Sequence, residues 1–292
     1  MLLVVAVPLL AALVGLVTWI VVGRALAPVE RIRAEVDGIT GDRLDRRVPV
    51  PDSGDEVATL AATMNGMLDR LDASARAQRR FVSDASHELR SPLATIRQHA
   101  ELARSHPDAL SAVELADTVH DEGLRLQGLV DALLVLARLD EGAAVAHEAV
   151  DLDDLVLAEA SRLRGAGMTV DASGVGPARV DGDPRLLGRV TRNLADNSRR
   201  HAESRVAFTL LERDGEVRLS IDDDGAGIPE AERERVFDRF VRLDEARARD
   251  AGGSGLGLAI VRAVVEASGG RITVGESRWG GARFDVVLPA GS

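Results

Sequence analysis

Residues 2–22 read LLVVAVPLLAALVGLVTWIVV, an apolar run broken only by Pro8, Gly15, Thr18 and Trp19. A run of about 20 apolar residues is the length of a helix that spans a bilayer. Trp19, near its end, suits the membrane interface. A cleavable leader would want a positive charge before the run, a shorter run and a small-residue cleavage site. The first 23 residues carry no basic side chain, whereas Arg24, Arg31 and Arg33 follow. The excess of positive charge on that flank puts the C-terminal bulk in the cytoplasm. The sequence therefore predicts a single membrane-spanning helix over residues 1–23, in the inner or plasma membrane.

The chain has 292 residues, enough for two or more modules with a sizeable core. It has no cysteine, so disulfides, thiol catalysis and cysteine metal sites are excluded. Tyrosine is absent, aromatic residues make up 2% and the net charge is −11, which argues against a base-stacking nucleic-acid surface. There is no lysine. Any phosphate contact that needs a strong base must therefore be made by arginine.

Residues 24–72 alternate helical patterns with a connector. Pro28 stands early in a first amphipathic segment, and the stretch from Gly41 to Gly54 is rich in Gly, Pro and Asp. Asp55-Glu56-Val57 and Met64-Asn65-Gly66-Met67 follow. This pattern resembles the HAMP relay module that joins a membrane helix to a cytoplasmic output domain. The family usually has glycine after the acidic triplet, where this chain has Ala58. Helices of this kind cannot bury their stripes alone and imply a parallel dimer.

Phe81 to Leu93 reads FVSDASHELRSPL. On a helix its apolar residues Phe81, Ala85, Leu89 and Leu93, continued by Ile96 and Ala100, recur every three or four positions and form one stripe. His87 follows Ala85 by two residues, about 200° round the helix, so it points away from that stripe toward water. Glu88 is next to it and Ser91 lies one turn further on the same face. A water-facing imidazole beside a carboxylate packs poorly and is a candidate nucleophile. The stretch resembles, nearly residue for residue, the phosphoacceptor box of sensor histidine kinases, F-x-x-D-x-S-H-E-L-R-[TS]-P-L. The resemblance implies that His87 accepts a phosphoryl group and that Glu88 holds the other ring N–H. It further implies that Ser91 stands where relatives place a threonine or asparagine that positions a hydrolytic water. Pro92 should kink the helix, expected from Ala73 to Arg104. After a break at His106-Pro107-Asp108, a second helix is expected from about Asp108 to Leu139, with Leu126, Val130, Leu133 and Ala137 on one face. Residues 73–141 would form a hairpin, and two hairpins a four-helix bundle. His99, His106, His120 and His147 lack such a context and read as surface or packing residues.

Beyond a small-residue linker, Glu141 to Glu148, strands and helices alternate. Expected strands are Met168–Ala172, Arg205–Glu212, Val217–Asp222, Arg271–Glu276 and Ala282–Leu288. Expected helices are Leu152–Arg164, Pro184–Arg200, Glu230–Phe237 and Gly255–Ser268. Arg205–Asp222 reads as a hairpin turning at Asp214-Gly215. The fold class is thus multidomain: a transmembrane helix, a helical relay and dimeric hairpin, then an α+β sandwich over residues 149–290 whose mixed sheet is covered on one face.

Three motifs fall in this last domain. Asn193 and Asn197 are four apart and share a helix face, so two amide oxygens could serve Mg²⁺ and phosphate. Asp223-Asp224-Gly225-Ala226-Gly227-Ile228 directly follows a strand. Gly252-Gly253-Ser254-Gly255-Leu256-Gly257-Leu258 opens a helix, where N–H groups approach phosphate. Their order and spacing resemble the ATP-binding domain shared by histidine kinases, DNA gyrase, Hsp90-type chaperones and MutL repair proteins. Phe237-Asp238-Arg239-Phe240-Val241-Arg242 resembles the phenylalanine box before the ATP lid of histidine kinases. The resemblance implies that Asp223 accepts from the adenine amine and that Asn197 binds Mg²⁺ while Asn193 supports the phosphates. Arg200 would clamp phosphate; Gly225, Gly227, Gly253, Gly255 and Gly257 would line the nucleotide; and Arg242 to Gly253 would be the lid. The expected activity is histidine autophosphorylation followed by transfer to a response-regulator aspartate. An ATPase without a phosphohistidine and a non-catalytic ATP-binding scaffold stay open as alternatives.

Overall fold

The computed structural model describes residues 2–39, 43, 45–51, 55–106, 110–141, 148–242 and 254–291. By its internal contacts the chain divides into two compact units, Met1–Ser83 and Asp84–Ser292.

In the first unit, α1 spans Leu2–Asp37. Its stretch from Leu9 onward is long and apolar enough to cross a membrane, and that window is not buried. Apolar side chains from Leu9 to Val22 are exposed on every side of the helix, unlike the one-sided burial of a soluble helix. The C-terminal turns of α1 contribute Ile32 to a small core with Val48 and Ala61, against which Val36, Ile39, Val57, Met64 and Leu68 pack. Asp55 starts the next helix: its Oδ1 accepts from the N–H groups of Val57 and Ala58, both at 3.1 Å. Ala58, where the HAMP pattern usually has glycine, is buried. Asn65 holds the connector, because its amide donates to Val48 O at 2.9 Å and accepts from Val48 N at 2.8 Å. This reciprocal pair does for one extended residue what a strand partner would do.

Helix α2 runs Glu56–Ser105 without a break. The relay and phosphoacceptor helices expected separately are therefore one continuous helix, and Pro92 does not end it. Of the predicted stripe, Ala85 is buried, Phe81, Leu89, Ile96 and Ala100 are half-buried, and Leu93 is exposed.

Helix α3 spans Ala112–Asp140. It starts four residues later than expected because Ser111 and Glu114 form a reciprocal cap: Ser111 Oγ accepts from Glu114 N at 3.1 Å and Glu114 Oε2 accepts from Ser111 N at 2.8 Å. Pro107 and Asp108 lie outside the described residues, as do Gly41, Gly54, His147 and the core of the small-residue linker. The buried residues of α3 are Leu129, Ala132 and Leu136, not the predicted set; Leu126, Leu133 and Ala137 are half-buried and Val130 is exposed.

The remainder is built from β1 (Glu148–Asp151), α4 (Leu152–Gly165), β2 (Thr169–Val175), β3 (Arg179–Gly182), α5 (Pro184–His201), β4 (Arg205–Arg213), β5 (Glu216–Asp223), α6 (Gly257–Ala267), β6 (Arg271–Glu276) and β7 (Ala282–Pro289). Glu230–Glu232 and Arg235–Phe237 are two 3₁₀ turns where one helix was expected. The main sheet has the order β2-β4-β5-β7-β6. Only β2 and β4 run parallel; the other neighbours are antiparallel. Helices α4, α5 and α6 pack in one layer on this sheet. Register explains the core: Ile221 pairs with Phe208 on one side and Phe284 on the other, and all three are buried. Strands β4 and β5 turn at Asp214 and Gly215, with φ of 55° and 79°. Both central residues at positive φ is the type I′ hairpin, whose twist matches that of the strands.

Candidate nucleotide site

Strand β5 delivers three successive carboxylates to one end of the sheet, and the pleat sends them different ways. Asp222 pairs with Ala207 and Arg283, on the face away from the helices. Its buried Oδ1 has no hydrogen-bond partner and lies 3.8 Å from the Arg283 guanidinium. Burial pushes its pKa up, with the arginine partly offsetting this. Asp223 is turned to the opposite face and is 1% exposed. Its Oδ1 accepts from Gly225 N and Ala282 N, each at 3.0 Å, while its buried Oδ2 has no partner. Burial raises the Asp223 pKa against the pull of those two N–H groups and of His201 nearby. Asp224 pins the start of β4. It accepts from Glu203 N, Ser204 N, Arg205 N and Ser204 Oγ at 2.7–3.1 Å. Desolvation opposes its ionisation, yet these bonds hold its pKa down to about 2.

The glycines around Asp223 are there for space. A side chain at Gly225 would place Cβ 2.2 Å from His201 O, the last residue of α5. Main chain therefore passes main chain at the point where β5 leaves the sheet. Gly255 has φ of +68°, and a Cβ there would come within 2.8 Å of the Phe240 backbone. Phe240 N donates to Gly255 O at 2.9 Å, so the two ends of the segment between them meet in a neck. Gly253 and most of the predicted Arg242–Gly253 lid lie outside the described residues. Gly227 lies against Gly280 in the β6–β7 turn.

Helix α5 brings the amides. Asp183 caps it, accepting from Arg185 N and Leu186 N, and Pro184 takes the first helical position. Asn193 Nδ2 donates to Gly257 O at 3.2 Å, fixing the start of α6 against α5. Asn197, one turn later, is half-buried, and Arg200 is exposed in the last turn. The structure thus sets Asn193 against Gly257, Asp223 against Gly225, and Gly227 against the β6–β7 turn that also holds Asp223, with Asn197 one helical turn beyond Asn193. Among the described residues no group of three His, Asp or Glu could hold a metal ion.

The phenylalanine segment anchors this region and extends it. Phe237 is buried edge-on against Phe284, ring centres 6.4 Å apart, and Arg262 lies 4.7 Å over its ring while pairing with Glu234. Arg239 donates to both carboxylate oxygens of Asp140, at 2.6 and 2.8 Å. Arg189 donates to Asp131 O at 3.2 Å, and α6 packs against α3. This docking on α3 was not read from the sequence; α3 buries Leu129, Ala132 and Leu136, residues that the predicted stripe left out.

His87, Glu88 and Ser91 form a separate group on α2. His87 and Ser91 are exposed on neighbouring turns, as the periodicity requires, and Glu88 is half-buried. His99 bonds back to Thr95 O at 2.9 Å, and His106 contacts Ser105 Oγ at 3.1 Å, local contacts that suit packing residues.

Comparison with known proteins agrees along the chain. Residues 182–292 match the family described as "Histidine kinase-, DNA gyrase B-, and HSP90-like ATPase", residues 77–142 the His Kinase A (phospho-acceptor) domain, and residues 20–73 the HAMP domain. The chain is 39% identical to the probable sensor histidine kinase TcrY of Mycobacterium tuberculosis, over 92% of this chain and 61% of the relative. It is 34% identical to the histidine-protein kinase BaeS of Escherichia coli, over 97% of this chain and 62% of that protein. It thus spans about three fifths of the length of these curated relatives. Among solved structures, full-length ShkA in complex with AMPPNP superposes with a TM-score of 0.52 and 28% identity, over 73% of this chain and 46% of that one. The Acinetobacter baumannii kinase AdeS shares the fold, with a TM-score of 0.59 and 21% identity over 70% of this chain and 98% of that one. The chain belongs to the family of bacterial sensor histidine kinases.

Proposed function

We propose that this chain transfers the γ-phosphoryl group of ATP to His87 and passes it on to an aspartate of a response regulator. The observation that carries the reading is the pairing, in one chain, of a water-facing His87 with a buried Asp223 Oδ2 that has no partner. An orphaned buried carboxylate oxygen is costly unless a ligand completes it. The 6-amino group of adenine is a donor that fits it, and the 6-oxo group of guanine is repelled by it. The AMPPNP complex of the relative ShkA supports a nucleotide in this fold.

In the proposed reaction a lone pair on one imidazole nitrogen of His87 forms the N–P bond as the β,γ-bridging P–O bond breaks and ADP leaves. Glu88, half-buried beside it, holds the other ring N–H, fixes the tautomer and balances the charge that develops. Asn197 would supply an oxygen to Mg²⁺, and the carbonyl oxygen of Asn193, whose nitrogen is engaged with Gly257, would face the phosphate side. Arg200, in the last turn of α5, would clamp phosphate. Gly225, Gly227, Gly253, Gly255 and Gly257 would bring main chain close to the nucleotide. When bound, Mg²⁺ would neutralise phosphate charge; most of the remaining catalysis is positioning.

The working form in this reading is a homodimer held by its N-terminal helix in the membrane, with residues 24–72 as relay, 73–141 as phosphotransfer hairpin and 149–290 as catalytic domain in the cytoplasm. The half-covered stripes of α2 and α3, with Leu93, Val130 and Leu134 exposed in the single chain, support a second copy. The test is to incubate the full chain with γ-labelled ATP and map the label. Acid-labile, base-stable label on His87, lost in His87→Gln while ATP affinity stays, is the expected outcome. Label on His99, His106 or His120 would overturn it.

A further inference from the structure

The β6–β7 turn, Ser277 to Gly281, lies directly against Asp223, yet none of its residues is among those read as binding nucleotide. Ser277 is 6% exposed, and its hydroxyl is fully used. Oγ donates to Asp223 O at 2.6 Å and accepts from Gly281 N at 3.1 Å and Trp279 N at 3.2 Å. One donor and two acceptor sites are all a hydroxyl has. The turn is also closed by Ser277 N on Gly281 O at 2.9 Å and Gly280 N on Ser277 O at 3.0 Å. The regular β5–β7 pairing ends at Asp222 and Arg283. One step further, where a ladder bond would go to main chain, Ala282 N bonds the Asp223 side chain instead. Ser277 therefore sets the position of the segment that supplies one of only two donors to Asp223 Oδ1. It does so while gripping the Asp223 carbonyl itself.

We infer that Ser277 is a positioning residue for nucleotide recognition: it fixes the Asp223 carboxylate so that Oδ1 is spent on Ala282 N and Gly225 N and Oδ2 is aimed at the base. This rests on the reading that Asp223 meets the 6-amino group. The fit is tight on every side. A Cβ at Gly281 would fall 2.3 Å from Asp223 O and 2.6 Å from its Oδ1, so the turn has no slack of its own and moves only if its anchor goes. Trp279 has contacts of its own, its ring 4.4 Å from the Arg278 guanidinium and 5.5 Å from that of Arg205. Ser277→Ala would leave three main-chain groups, Asp223 O, Trp279 N and Gly281 N, without the hydroxyl. They would recover partners only by shifting the turn, and the carboxylate rotamer would be released with it.

The experiment compares two nucleotides on the same 292-residue chain in detergent: ATP, and purine riboside triphosphate, which lacks the 6-amino group. The ratio of the two affinities does not depend on the folded fraction of a sample, so a merely destabilised variant leaves it unchanged. In Ser277→Ala the preference for ATP should fall about fivefold, the size of one ordinary hydrogen bond, with purine riboside triphosphate binding nearly as before. Asp223→Asn is measured alongside. If Asp223→Asn removes the preference and Ser277→Ala keeps it, the positioning inference is wrong. If Asp223→Asn itself keeps the preference, the adenine reading on which it rests has failed.

Discussion

Asp223→Asn has an outcome that the hydrogen bonds around it dictate in detail. In the wild type Oδ1 accepts two main-chain N–H groups at 3.0 Å and Oδ2 accepts none. An asparagine amide has one oxygen, and that oxygen must take the Oδ1 place, because an NH₂ there would face two donors. The NH₂ is thereby forced into the Oδ2 place, donor against the 6-amino donor of adenine. The hydrogen bond lost is one to a charged group, worth about 1.5–3 kcal/mol. ATP affinity should fall by roughly 10- to 150-fold, at about 1.4 kcal/mol per tenfold. The same amide would meet the 6-oxo group of inosine triphosphate as a donor to an acceptor. Preference should therefore invert, inosine triphosphate binding the variant better than ATP does. Calorimetric titration of wild type and variant with both nucleotides measures this, with thermal unfolding as a control for folding. An ATP affinity within twofold of wild type would refute the placement of Oδ2. So would a loss for inosine triphosphate as large as that for ATP.

Asp224→Asn should lower the unfolding free energy at neutral pH by about 2 kcal/mol, the worth of a carboxyl held from 3.8 down to about 2 at roughly 1.36 kcal/mol per tenfold in proton affinity, as read by denaturant unfolding. Because that pKa is depressed on folding, the contribution is present above 3.8 and lost as pH falls toward about 2; a variant effect that persists undiminished at the acid end contradicts it. Ser91→Thr should speed dephosphorylation of a phosphorylated cognate regulator and Ser91→Ala slow it, since threonine's β-methyl restrains the hydroxyl that serine leaves looser, with His87 labelling little changed in either. Equal decay in all three would remove Ser91 from that reaction. The Arg239–Asp140 pair is part-exposed on both sides, 31% and 51%, so a double-mutant cycle on unfolding should give a coupling under about 1 kcal/mol.

How much of this could be read in advance depended on whether local chemistry or a tertiary partner decided the element. The β4–β5 hairpin was legible because Asp214-Gly215 is the dipeptide that a type I′ turn demands, and the flanking strands alternate. Strands β1 and β3 were not, since each has four residues and pairs only with the other, too short for a period to show. The Glu230–Phe237 stretch carries helix-forming residues, yet its Phe237 is held against Phe284, and two 3₁₀ turns result. Helix α3 is apolar on more than one face, so periodicity allowed two stripes, and the folded chain buries Leu129, Ala132 and Leu136. At the site, the resemblance singled out Asp223 from three consecutive aspartates. The period of a strand alone separates Asp222 from Asp223, but nothing local says that Asp224 reaches back to β4. Ser277 was missed for the same reason: in the sequence it is one serine before a glycine turn, and its work appears only when β5 is beside it.

The hydrogen bonds of the catalytic unit are concentrated where the base would sit. A carboxylate with two donors on one oxygen, a saturated serine hydroxyl and a second carboxylate with four donors lie together at the end of β5 and in the β6–β7 turn against it. Among the described residues, contacts to α3 are of a different kind: the part-exposed Arg239–Asp140 ion pair, Arg189 on a main-chain carbonyl, and packing of α6 on α3. A group that must recognise a 6-amino donor and refuse a 6-oxo acceptor needs its oxygen fixed, because a carboxyl free to rotate or to take up a proton would accept either. Burial already favours that proton on Asp223, and Ala282 N, Gly225 N and the nearby His201 favour the charged form. A donor arriving at Oδ2 strengthens the same charged form. Adenine binding should therefore pull the Asp223 pKa back down, and ATP affinity should weaken as pH falls through the raised pKa of the free protein, while that of purine riboside triphosphate, with nothing to donate, stays level. The pH dependence of the two affinities thus reports on Oδ2 directly, without altering a single residue.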